Sequence, residues 1–353
     1  MRRSDSGDPG SPALLVVQTS FLGDVVLTTP LLSALRERAR PRRLSVLVRP
    51  EAAALVAGHP AVDEVLFDDK RGRERGVGGL LRVAQRLHAG CFDVAVSPHR
   101  SFRTALLLAA ARIPRRIGFD EARGAWLYHE RVRRDRRRHD VERNLALVSP
   151  FGPGPAAAPL HVPVAPAAAA AAETLLPAGS GPLVAIAPGS VWATKRWTAA
   201  GFAAVVAALA DEGARCVVLG GPDDQAVALD VAARSGGRAT VLAGRTDLAT
   251  MVAVVDRAAL LIGNDSAPMH VACARGVPVV AVFGATTPAL GYGPWSPDAV
   301  VIEADLACRP CGRHGGHVCP RGTDDCMRLV APAAVLAAAR AALARRAGPR
   351  AAS

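Results

Sequence analysis

The chain has 353 residues, with 43 Lys plus Arg against 31 Asp plus Glu for a formal net charge of +12, and half of its residues are hydrophobic. That composition, with only 21% charged residues, excludes a wholly disordered chain, a coiled coil and a collagen-like repeat, and the length suits two domains. Aromatic residues make up 4% and are not interleaved with basic ones, so the charge points to sugar acids, phosphates or an anionic membrane surface and away from nucleic acid.

Residues 1–12 are polar, lack the apolar stretch of a cleavable export signal, and are expected to be disordered. Short apolar runs at 14–18, 44–48, 64–67 and 92–96 read as buried strands, with helices over 25–38, 77–88 and 102–111. Residues 151–166 include seven Gly or Pro and read as a linker. A second alternating series follows, with strands at 183–187, 216–219, 240–242, 259–262 and 278–283. Its helices fall over 199–211, 225–234, 248–256 and 268–274, and a last Ala/Arg-rich helix over 333–346. This is the pattern of two doubly wound α/β domains, whose ligands bind beyond the carboxyl ends of the strands. The expected partition is a domain over 13–160, a second over 161–332, and a terminal helix and tail over 333–353. Seven cysteines, an odd number, point to a reducing compartment, and no apolar run reaches the roughly 20 residues that span a bilayer. The expected location is the cytoplasm.

Three strand-to-helix junctions carry candidate chemistry. After the first strand comes Thr19-Ser20-Phe21-Leu22-Gly23-Asp24, with Gly23 in the turn; Asp24 is either a helix N-cap or a general base at a domain edge. After the strand at 183–187 comes Pro188-Gly189-Ser190 and then Thr194-Lys195-Arg196. Hydroxyls, a glycine and a cation in such a loop can surround a phosphate, and the alternative is a solvated basic pair. Lys195 is one of only two lysines, the other being Lys70. The third junction, Gly263-Asn264-Asp265-Ser266-Ala267-Pro268-Met269-His270, opens a helix near Pro268. Its free N–H groups and dipole suit a diphosphate, or the end is merely capped.

Further signals leave alternatives open. Gly220-Gly221-Pro222-Asp223 is a weak nucleotide-binding signal, and neither a P-loop nor a Gly-x-Gly-x-x-Gly fingerprint occurs. Cys308, Cys311, Cys319 and Cys326 are either a structural zinc site or free thiols. The arginines of 112–116 and 131–138 are either a solvated face or a grip for an acidic acceptor.

Together these segments resemble glycosyltransferase family 9, the ADP-heptose:lipopolysaccharide heptosyltransferases, and most closely its heptosyltransferase II branch. The matching stretches are LLVVQTSFLGDVVLTTPLLSALR at 14–36, AIAPGSVWATKRWTAAGF at 185–202, LIGNDSAPMHVACARGVPVVAVFGATTPALGYGPW at 261–295 and the cysteine segment at 308–327. The resemblance implies an α/β fold of the GT-B class, two Rossmann-like doubly wound domains facing across a cleft. It implies inverting, metal-independent heptose transfer from an ADP-sugar to an anionic heptosyl-Kdo-lipid A acceptor at the inner-membrane surface. Asp24 would be the general base, and Lys195 would stabilise the departing diphosphate. Gly189, Ser190, Thr194, Asp265, Ser266, Ala267 and His270 would line the donor site, and position in the chain, not a motif match, adds Asp223 and Arg245 for the adenosine. Ser20, Gly23, Arg100 and His139 would touch the acceptor. Ala267 stands where the family commonly has Gly, a change a backbone contact survives. No cofactor is implied, and structural zinc on the four cysteines stays an open alternative. A GT-B transferase using another nucleotide sugar, or a non-catalytic sugar-binding protein, are the competing readings; oligomeric state is left open.

Overall fold

The computed structural model describes residues 10–155 and 157–347, and the chain divides into two compact units, Met1–Pro163 and Val164–Ser353. In the first unit the strands are β1 (Ala13–Val17), β2 (Arg43–Val48), β3 (Glu64–Phe67), β4 (Val94–Ser97), β5 (Arg115–Phe119) and β6 (Glu130–Val132). Its helices are α1 (Leu22–Ala39), α2 (Gly76–Ala89), α3 (Phe102–Ala110) and α4 (Asp140–Leu145). The six strands form one parallel sheet in the order β3-β2-β1-β4-β5-β6. The order reverses between β1 and β4, the switch point where doubly wound sheets bind ligands.

β1 reads Ala-Leu-Leu-Val-Val with every residue buried, because helices cover both faces of a central parallel strand. Each of its Leu and Val side chains contributes roughly 1.5–3 kcal/mol by leaving water. Helix α1 carries Pro30 in its interior, which removes one backbone donor, and the Thr29 hydroxyl donates to the carbonyl of Val26 at 2.7 Å in its place.

The second unit repeats the plan with α5 (Pro166–Leu175), β7 (Leu183–Ala187), α6 (Ala199–Asp211), β8 (Arg215–Val218), α7 (Gln225–Arg234), β9 (Ala239–Val241), α8 (Leu248–Arg257), β10 (Leu260–Asn264), α9 (Ala267–Ala274), β11 (Val279–Phe283), β12 (Ala299–Glu303), α10 (Asp325–Arg328) and α11 (Pro332–Ala347). The sheet order is β12-β11-β10-β7-β8-β9, all parallel, with its switch point between β7 and β10. Trp197, Phe202 and α11 pack with Cys326 and Met327 into one core.

The structure departs from the sequence expectations in four places. Strands β5, β6 and β12 and helices α4, α5 and α10 were not anticipated. The expected linker is not a solvated tether: Leu160 and Val162 are buried, and His161 N–H donates to the Thr29 hydroxyl at 3.0 Å. Of the expected disordered start, residues 1–9 lie outside the described residues, while the carbonyls of Ser11 and Pro12 accept from Arg42 at 2.9 and 3.1 Å. Gly23 sits inside the first turn of α1, not in the turn before it. Residues 348–353 of the expected tail also lie outside the described residues. No helix among the described residues is long and apolar enough to cross a membrane.

Candidate active site

In the first unit, the segment after β1 delivers Asp24 as the third residue of α1. Phe21 is the N-cap, and its N–H donates to Asp24 Oδ2 at 3.3 Å, so the carboxylate closes the helix end from within. Ser20 Oγ donates to the same oxygen at 2.5 Å. Burial, and next the neighbouring charge of Asp140, push the Asp24 carboxyl up to about 6; bonds from Ser20 and Phe21 and the positive charge of Arg100 oppose that rise. Desolvation wins here, which gives a carboxylate basic enough to take a proton near neutrality and still ionised there.

Sequence reasoning missed the residues that the strand order gathers round Thr19. Its hydroxyl lies 3.2 Å from His99 Nδ1, which follows β4, and accepts from Lys70 Nζ, which follows β3, at 3.3 Å. The Thr104 hydroxyl on α3 lies 2.8 Å from the same His99 nitrogen. Burial, helped by the charges of Lys70, Arg100 and Arg49, pushes His99 down to about 3, so the ring is neutral. Burial and the nearby Arg49 push the Lys70 ammonium down to about 8. Arg49, at the end of β2, is buried and pairs with Glu51 at 2.8 Å. Lys70 is as rare in this sequence as Lys195, so the scarcity that marked one lysine marked both.

Of the other expected acceptor contacts, Arg100 pairs with Glu121 at 2.8 Å and lies within electrostatic reach of Asp24. His139 is the N-cap of α4, where its Nδ1 accepts from Val141 N–H at 3.2 Å. The 131–138 arginines are not merely a solvated face: Arg134 is buried between Glu121, at 3.1 Å, and Asp140, at 2.7 Å.

In the second unit, the loops after β7 and β10 meet at the switch point. Asn264, fully buried, joins them: its Oδ1 accepts from Trp197 N–H at 2.9 Å and its Nδ2 donates to the Pro188 carbonyl at 2.7 Å. Lys195 Nζ pairs with Asp265 Oδ2 at 2.6 Å, and that oxygen also accepts from the Thr286 hydroxyl at 2.6 Å. An ammonium has three donors, so the pair fixes Lys195 and leaves donors for an incoming phosphate. Ser266 is the N-cap of α9, Ala267 its first residue, and the Ser266 hydroxyl is buried with no hydrogen-bond partner among the described residues. His270 is buried one turn on. A buried hydroxyl donor at the N-terminus of a helix suits an anion.

Ser190 is buried, and its Oγ accepts from Trp192 N–H at 3.4 Å. Gly189 lies against the Asp224 carboxylate, which a Cβ there would have to displace. Asp223 is exposed on the turn after β8, and Arg245 is exposed on the turn after β9; these turns are joined by Gly244 N–H donating to the Gly220 carbonyl at 3.1 Å. Thr194 behaves differently from the expectation: its hydroxyl donates to the Gly316 carbonyl at 2.9 Å and accepts from Gly316 N–H at 2.8 Å. It thereby clips the cysteine-bearing loop onto the Lys195 loop. Arg309, between Cys308 and Cys311, anchors that loop with donations to Ala304, at 2.6 Å, and Thr286, at 3.0 Å. Gly315, at φ +75°, passes Lys195 so closely that a Cβ would lie 3.3 Å from its Cγ. The loop is a strap over the switch point. Among the described residues no three His, Cys, Asp or Glu side chains are placed to hold a metal ion.

Two Rossmann-like units, one with a carboxylate and the other with a cation and a helix N-terminus at the switch point, define a glycosyltransferase of GT-B architecture. The profile of glycosyltransferase family 9 (heptosyltransferase) matches residues 80–318, and the chain belongs to that family. It is 27% identical to lipopolysaccharide heptosyltransferase 3 of Escherichia coli, over 80% of this chain and 86% of that protein. It is also 27% identical to lipooligosaccharide heptosyltransferase 2 of Haemophilus ducreyi, over 82% and 88%. Among solved structures, a family 9 glycosyltransferase from Veillonella parvula superposes with a TM-score of 0.85 at 26% identity, covering 96% of this chain and 99% of that one. The E. coli ADP-heptose lipopolysaccharide heptosyltransferase II gives 0.80 at 23% identity, covering 95% and 100%.

Proposed function

We propose that this protein transfers heptose from ADP-L-glycero-D-manno-heptose to a heptosyl-Kdo-lipid A acceptor in the lipopolysaccharide inner core, with inversion and without a metal. The observation that carries the reading is Asp24, a partly buried carboxylate raised to about 6 at the switch point of the first unit. The acceptor hydroxyl attacks the anomeric carbon as its proton passes to Asp24. The bond from that carbon to the diphosphate oxygen breaks, and its electron pair leaves on ADP. Lys195 and the N-terminus of α9 offset the charge growing on that oxygen, which supplies the electrostatic part of catalysis. Arg49, Lys70 and Arg100 near Thr19 suit an acceptor bearing carboxylates or phosphates. The relatives, heptosyltransferases of lipopolysaccharide and lipooligosaccharide, support heptose and this acceptor class. Because that acceptor is lipid-linked, the working location is the cytoplasmic face of the inner membrane.

The experiment is transfer to heptosyl-Kdo-lipid A in EDTA with a panel of nucleotide sugars. Product from ADP-heptose alone supports donor and metal independence together. Product from another donor would replace the heptose assignment, and restoration of activity only by added metal would end the metal-free mechanism.

A further inference from the structure

The first unit carries 27 Lys and Arg against 17 Asp and Glu, so +10 of the net +12 resides there. It also exposes large apolar side chains on one neighbourhood. Val77 is 76% exposed on the first turn of α2, with Leu81 one turn on, and Phe102 and Leu106 repeat the pattern on α3. Arg103 donates to the carbonyls of Gly76 and Glu74, at 3.2 and 2.9 Å, and so lays the start of α3 against the start of α2. Trp126, 71% exposed, packs its ring 5.9 Å from that of Phe102. Around them Arg73, Arg75, Arg82 and Arg123 are exposed, and none has an ion-pair partner among the described residues.

We infer that this face docks on an anionic lipid bilayer. Apolar side chains standing out of two adjoining helices cost free energy in water and gain it among acyl chains. Trp prefers the headgroup level, where its ring has an apolar body and a polar edge. Unpaired arginines at the border can reach anionic headgroups while their stems lie along the apolar surface. The place also fits: both helices begin just beyond the carboxyl ends of β3 and β4, the edge that presents Lys70 and His99 to Thr19. A bilayer held there brings a lipid-linked acceptor beside Asp24, so the purpose rests on the proposed function although the binding itself does not.

The test is flotation with vesicles of phosphatidylethanolamine carrying roughly 30% phosphatidylglycerol, against phosphatidylcholine vesicles, with no acceptor present. The native protein should float with the anionic vesicles only, and Trp126 fluorescence should shift to shorter wavelength. Val77→Ser/Trp126→Ser and, separately, Arg82→Glu/Arg123→Glu should each weaken binding by about tenfold or more, with unchanged thermal melting. No binding by the native protein, or both variants binding as well as it does, would overturn the inference. So would an apolar-patch variant that changes only a dimer into a monomer, which would make the face a contact between copies. Transfer activity is not read, so failure here is separable from failure of the proposed function.

Discussion

Ser20 and Asp24 lie one helical turn apart, and the serine hydroxyl meets Asp24 Oδ2 at 2.5 Å while Phe21 N–H reaches the same oxygen. Asp24 therefore closes a helix end with one carboxylate oxygen. Oδ2 takes both of these bonds, and on the proposed function Oδ1 is the oxygen that would receive the acceptor proton.

The first consequence is in pH. The base works as the carboxylate, so kcat/KM should fall about tenfold per pH unit below an inflection near 6. The negative charge of Asp140 raises that inflection, so Asp140→Asn should move it toward lower pH. A native inflection near 4, or no movement in the variant, would contradict the assignment.

Stability should respond in the opposite sense to activity. The folded Asp24 holds its proton up to about 6 and the ordinary carboxyl only to 3.8. Proton binding thus favours the fold below 3.8, and this contribution is lost as pH rises through 6. Above pH 6 the buried charge is a net cost of about 1–2 kcal/mol, allowing for its partial exposure. Asp24→Asn should then melt higher by roughly 2–6 °C at pH 8. A purely structural cap would instead melt lower when altered.

Lys195 and Asp265 are both largely buried, so removing one strands the other. Lys195→Met should lose about 2–4 kcal/mol of stability, discounted because Thr286 still serves Asp265, and about 10- to 100-fold in ADP affinity. Lys195→Met/Asp265→Asn should regain most of the stability and none of the affinity. Calorimetry and ADP titration separate the two effects; recovery of affinity in the double variant would remove Lys195 from the donor site.

Asn264 serves two buried backbone groups, Trp197 N–H and the Pro188 carbonyl. Asn264→Ala should cost about 2–4 kcal/mol by leaving both without partners, read as a lower urea midpoint with an unchanged slope. An unchanged midpoint would show that water replaces the side chain.

The central elements were legible because central parallel strands are continuous apolar runs: β7, α6 and α7 fall on the residues the sequence pattern predicted. The edge strands β6 and β12, and β5 beside β6, were not. β5 begins Arg115-Arg116 and pairs with β6, where Arg115 bonds Glu130, and such charges blunt an edge while hiding the hydrophobic signal. Helix α5 was hidden by Pro166, which looked like the end of a linker and is the first helical residue. Within the site, Asp24, Lys195 and Ser266 were visible because each stands at a strand-to-helix junction. Lys70 and His99 were invisible because only the order β3-β2-β1-β4 brings their loops to Thr19, and Asp140 because it reaches Asp24 from α4, which packs on α1; no local spacing encodes either. Thr194 shows the converse: a hydroxyl in a phosphate-like loop that is committed to Gly316, more than a hundred residues away in the chain.

The most direct test of the central claim is single-turnover transfer from ADP-heptose by Asp24→Asn, with ADP affinity measured on the same sample. The account predicts turnover slower by at least about 100-fold with ADP affinity unchanged, since the base acts on the acceptor and not on the donor. Turnover at the native rate would contradict it.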